Sequence, residues 1–111
     1  MRNTDSLFIV TDLDGVIQVM RSGASSWGSE GSAKKALHND INYYRVAWWS
    51  EPDEEALARG VPLYMSDEKW HIRSLGEEQV FDTRPAAVRW VMEREYKIVE
   101  ITKVNFHANT N

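Results

Sequence analysis

The second half of this chain repeats the plan of the first, and no other feature constrains its fold as much. Residues 7–13 read Leu-Phe-Ile-Val-Thr-Asp-Leu, and residues 62–68 read Pro-Leu-Tyr-Met-Ser-Asp-Glu. Each is a short apolar run that stops at a hydroxyl residue followed by Asp. Each leads into a second extended run, Val16–Arg21 in one case and Trp70–Leu75 in the other. Further on, Trp27-Gly28-Ser29-Glu30 precedes Ala33–Leu37, and Phe81-Asp82-Thr83-Arg84 precedes Ala87–Val91. Identities are few, with Asp12/Asp67, Ile17/Ile72 and Ala33/Ala87 the clearest, so the recurrence is one of pattern. It predicts two degenerate β-β-α-β copies, residues 7–49 and 62–106. A linking helix at about 52–59 joins them within a single domain of 111 residues.

Local signals fill in the plan. Leu7–Thr11 is an apolar run bounded by polar residues, the mark of a buried strand. Asp14-Gly15 suits the positive φ of a tight turn, with Val16–Arg21 returning as the partner strand. The Gly- and Ser-rich stretch 22–32 reads as a loop with one large anchor, Trp27. Ser29 caps a short helix over 33–38, which Asn39 or Asn42 ends. Ile41–Trp49 is dense in aromatic and β-branched residues and predicts a strand, with Tyr43, Arg45 and Trp49 on one face. Ser50, Pro52 and the acids at 53–55 open the linking helix, and Gly60 closes it. Val61–Ser66, Trp70–Leu75 and Gln79–Phe81 read as a meander with turns at 67–69 and 76–78. A helix from about Arg84 to Glu95 follows, capped by Asp82 or Thr83, with Ala87, Val88 and Val91 turned inward. Lys97–Phe106 is the last strand. The expected class is α+β: a mostly antiparallel sheet with helices on one face, as one continuous sheet or two small ones.

Composition narrows the function classes. The absence of cysteine removes disulfides, thiolate zinc sites and thiol catalysis, and fits a cytoplasmic chain. No apolar stretch approaches about 20 residues and the first five residues open no signal peptide, so no membrane association is expected. A net charge of −4, with basic residues scattered, makes direct binding to nucleic acid unfavourable. Five Trp in so short a chain are the outlier, and Trp is favoured both in cores and at binding hot spots.

The segment Phe8-Ile9-Val10-Thr11-Asp12-Leu13-Asp14-Gly15-Val16 resembles the first motif of haloacid-dehalogenase-type phosphohydrolases, an apolar strand ending in Asp-x-Asp-Gly. That nine-residue resemblance implies Asp12 as nucleophile, Asp14 as general acid/base and a Mg²⁺ between them. The rest of the chain departs from the family. Its doubly wound parallel domain is longer than this chain, and no acidic pair follows a later apolar strand. Asp67-Glu68-Lys69 occupies the same place in the second copy without a second Asp-x-Asp. A hairpin turn accounts for both copies, so no catalytic residue and no cofactor is expected. His38, His71 and His107 share no metal-ligand spacing, and no metal is expected. Gly23, Gly28 and Gly31 offer backbone N–H groups to an anion, but no Walker or dinucleotide fingerprint accompanies them.

The remaining constellation is aromatic and acidic. Tyr43, Arg45 and Trp49 form a hot-spot set on the expected strand, with Glu51, Asp53, Glu54 and Glu55 beside them and Trp27 as a second anchor. The expected function is therefore a small non-enzymatic binding protein acting on a protein partner of basic character. An inhibitor of host defence from a phage or mobile element, of the anti-CRISPR sort, is the specific class. Two alternatives stand beside it: a pocket for a nucleotide or nucleotide-like signal between aromatics and the glycine loop, and the Mg²⁺-dependent phosphohydrolase.

Overall fold

The computed structural model describes residues 6–45, 47–49, 51–58 and 63–102. Expectations that fall on Val46, Ser50, residues 59–62 and residues 103–111, His107 among them, lie outside the described residues. The elements run β1 (Ser6–Asp12), α1 (Glu30–Tyr44), β2 (Ala47–Trp48), α2 (Glu54–Ala58), β3 (Leu63–Ser66), β4 (Lys69–Ser74), β5 (Glu77–Phe81), α3 (Arg84–Glu95) and β6 (Tyr96–Thr102). The class is α+β. The strands form two sheets, a two-stranded ribbon β1-β6 and a four-stranded sheet β2-β3-β4-β5. Every pairing is antiparallel except that of β2 with β3. The chain divides into two compact units, Met1–Asp40 with Tyr96–Asn111, and Ile41–Glu95.

In the first unit the chain's first strand pairs with its last. β1 and β6 match along all seven positions, from Ser6↔Thr102 to Asp12↔Tyr96. The other edge of β1 carries two isolated bridges, Phe8↔Trp27 and Thr11↔Ile17. The expected return strand Val16–Arg21 is thus reduced to a single bridge. After Gln18 N donates to Val10 O, the chain folds back through a Met20–Gly23 turn, with Gly23 at φ +92°. Among the described residues of this unit, Val10, Thr11, Met20, Ala33 and Leu37 are buried.

Helix α1 corrects the largest expectation. Residues 41–44 continue the helix, and only Ala47–Trp48 of the expected strand is extended. Ala33, Leu37 and Ile41 recur every four residues and are almost fully buried, so one apolar stripe carries the helix past Asn39. That stripe outweighs the β propensity of Tyr43 and Tyr44, which is a weak prior wherever packing decides. Ser29 caps the helix as expected, its Oγ accepting from Ser32 N at 3.1 Å.

In the second unit β3, β4 and β5 form a meander through two-residue turns. Asp67 and Glu68 both lie at positive φ (53° and 63°), as do Leu75 and Gly76 (51° and 80°). Two consecutive residues of this kind make the turn whose twist matches a hairpin. The turns close on Ser66↔Lys69 and Ser74↔Glu77. Helix α3 packs on β4 and β5. Its inner residues Ala87, Val88 and Val91 are fully buried, as the sequence pattern predicts. Thr83 is the cap, accepting from Ala86 N.

Candidate functional site

Directly paired residues share a sheet face, so the registers sort the second unit's sheet into two surfaces. One holds Leu63 and Ile72, both fully buried, with Trp70 and Phe81 beside them. Helix α3 covers this face, and its Trp90 meets Phe81 at 5.8 Å between ring centroids. The other face carries one row across all four strands: Trp48↔Tyr64, Tyr64↔His71 and His71↔Val80. Trp48 is 37% and Val80 48% exposed, so this row is open to solvent at both ends.

The middle of the row is a hydrogen-bonded cluster. Tyr64 and His71 stack at 4.8 Å with an interplanar angle of 11°. Tyr64 Oη donates to Glu78 Oε2 at 3.0 Å, and His71 Nδ1 lies 3.1 Å from the same oxygen. Arg73 Nε stands 3.5 Å from Glu78 Oε1. Burial pushes the Tyr64 phenol up to about 12, reinforced by its bond to Glu78 and the charges of Glu78 and Glu51. For Glu78, burial acts upward but is outweighed by the bonds from Tyr64 and His71 and the Arg73 charge. Its carboxyl is held below the usual range and stays ionised. Because Tyr64 and His71 spend their facing ring surfaces on each other, no base stacks between them.

Trp49 follows Trp48 and points the other way, by strand alternation. It is 72% exposed, yet its ring meets the buried Trp70 edge-on at 5.4 Å. Arg84, at the start of α3, lies over Trp70 at 5.9 Å and donates to the carbonyl of Asn42. β2 therefore presents one partly exposed Trp to the open face and a second, more exposed one beside the helix-covered face.

The expected site residues separate into three groups. Trp49 and Tyr43 are exposed, Tyr43 on the last turn of α1 and edge-to-face with Tyr44 at 5.1 Å. Glu51, Glu54 and Glu55 are also exposed, while Asp53 is used locally, its carboxylate accepting from Ala56 N to cap α2. Arg45 does not belong to a free surface. It makes two bonds to Glu95 (2.7 and 2.9 Å) and a third to the carbonyl of Arg73, while Ser74 Oγ also donates to Glu95. A guanidinium in a bidentate pair with a half-buried carboxylate ties elements together. Trp27, half-buried and bridged to Phe8, belongs to the other unit.

The Asp12 motif forms a turn. Asp12 Oδ1 accepts from both Asp14 N and Val16 N at 2.9 Å, and Gly15 sits at φ +86°. β1 lies in an antiparallel ribbon. Among the described residues no group of three or more His, Asp or Glu is placed to hold a metal ion. No described helix is long and apolar enough to cross a membrane.

Sequence reasoning missed Trp48, Tyr64, His71 and Glu78 as one cluster. The signal was present in the turns: a two-residue turn at 67–68 sets Tyr64 opposite His71, and one at 75–76 sets His71 opposite Val80. Comparison with protein-family models, curated proteins and solved structures finds no match for this chain.

Proposed function

We propose that this chain is a binding protein whose partner is another protein with a basic surface, docked on the β2 edge and the open face behind it. The observation that carries the reading is Trp49. A large apolar ring left 72% exposed forgoes burial worth about 2–3 kcal/mol. Its edge-on contact with Trp70 restricts the ring on one side, which lowers the entropy lost on docking. Charge supports the same reading. Residues 41–95 contain eleven Asp and Glu against seven Lys and Arg, and so hold the whole net charge of −4. The rest of the chain is balanced at six of each. An acidic unit with preset aromatic anchors complements a basic surface and speeds the encounter with it.

Proteins that hold nucleic acid have basic working surfaces of this kind. An inhibitor of a host defence effector, of the anti-CRISPR sort, falls within the class.

The test uses the immobilised full chain in a lysate of a candidate host, with Trp49→Ala carried in parallel. A partner retained by the wild-type chain should lose about 2 kcal/mol on Trp49→Ala, roughly thirty-fold in Kd. Its association rate should fall as salt rises. Equal retention by both chains would sink the reading.

A further inference from the structure

We propose that the open face is a proton-gated surface: it holds one arrangement when His71 carries both ring protons and another when it carries one. The proposal rests on the reading of this face as a docking surface, and deepens it by naming what regulates the surface. The ring has too few donors for the acceptors around it unless it is doubly protonated. His71 Nε2 lies 3.2 Å from the backbone carbonyl of Ser66, and Nδ1 lies 3.1 Å from Glu78 Oε2. A carbonyl only accepts, and an ionised carboxylate only accepts. Two acceptors therefore face two ring nitrogens, and both contacts are hydrogen bonds only in the imidazolium. The neutral ring has one N–H, so its second nitrogen turns a lone pair toward an oxygen at hydrogen-bond distance. The His71 side chain is only 19% exposed, so water compensates poorly.

Glu78 is the partner free to give way. It stands on the outer strand β5, and Arg73 already lies 3.5 Å from its other oxygen. When it swings toward Arg73, Tyr64 loses its acceptor and the Tyr64–His71 stack loses its brace. The groups facing His71 are Tyr64 and Ser66 from β3, Glu78 and Val80 from β5, and Arg73 and Lys69 from its own strand. Lys69 is engaged with Asp82, and Glu51 acts on Tyr64. The centre of the row Trp48–Tyr64–His71–Val80 is thus what changes.

The test needs no partner. Long-range ¹H–¹⁵N spectra of the full chain, recorded between about pH 5 and 9, report the protonation of each ring nitrogen. At the acid end both His71 nitrogens should be protonated, and at the alkaline end one. The Trp48 indole and Val80 amide signals should move with the same midpoint. In Glu78→Gln the side-chain amide donates to Nδ1, so the neutral ring keeps both contacts and those two signals should stop following His71. A ring with a single proton throughout would overturn the proposal, as would a titration that leaves Trp48 and Val80 unmoved. Either failure leaves the Trp49 test of partner binding standing, and loss of that test leaves this titration standing.

Discussion

The two faces of the β2–β5 sheet are made by the same strands and differ in nearly everything else. On one face lie Leu63 and Ile72, both fully buried, and α3 packs on β4 and β5 with Ala87, Val88 and Val91 fully buried in turn. On the opposite face Trp48, Tyr64, His71 and Val80 form a row whose middle, Tyr64 and His71, is held by stacking and by hydrogen bonds to Glu78, with Trp48 and Val80 exposed at its ends. The first face follows from the need of a small domain to exclude water from its apolar stripe. The second does not follow from that need, because a sheet covered on one side is stable with an ordinary polar outer face. Residues whose burial is complete keep the fold. In the proposed docking, the large exposed residues at the ends of the row serve a partner.

Substitutions on the two faces should have different consequences. The largest effect should come from Ile72→Ala, which removes a fully buried side chain beneath α3; urea unfolding should show a loss of about 3 kcal/mol. Val91→Ala, on the helix side of the same contact, should lose about 2 kcal/mol by the same assay. Arg45→Ala leaves the Glu95 carboxylate with Ser74 alone and should also cost about 2 kcal/mol. A neutral result there would return Arg45 to the candidate surface. At Leu75, an exposed residue at φ +51°, Asn fits the turn better and should raise stability by up to about 1 kcal/mol.

The open face should also be visible in pH dependence, with opposite signs at its two ends. Glu78 has a lowered carboxyl pKa, so its contribution is present above the ordinary Glu range and is lost as pH falls through its own lower value. Acid unfolding of Glu78→Gln should lack that part of the acid limb. Tyr64 has a raised pKa, so its contribution is present below pH 10.0 and is lost as pH rises toward about 12. A spectrophotometric titration should find its phenolate forming only near that value.

Much of the helix-covered face was legible in the sequence. Ala87, Val88 and Val91 recur at helical spacing behind a Thr-Arg-Pro start, and the structure buries all three. The open face was not, for a reason of register. Placing the turns at 67–69 and 76–78 instead of 67–68 and 75–76 changes the strand pairing, and a one-residue slip sends side chains to the opposite face. Tyr64, His71 and Val80 could then not be read as one row. The helical fate of Tyr43 and Tyr44 was hidden for another reason. Their aromatic run favours a strand locally, while the Ala33–Leu37–Ile41 stripe that decides the matter lies upstream. The sequence pattern groups Tyr43, Arg45 and Trp49 on one strand face, but the helix ends at Tyr44 and Arg45 ties to Glu95, so Trp49 stands exposed without them.

The most direct test of the contrast is to measure stability and partner affinity on one preparation of Trp48→Ala, the residue that opens the exposed row. The account expects an unfolding free energy within about 1 kcal/mol of the wild-type chain and partner affinity reduced by roughly ten-fold or more. A chain that unfolds with several kcal/mol less and still binds its partner at full strength would contradict it.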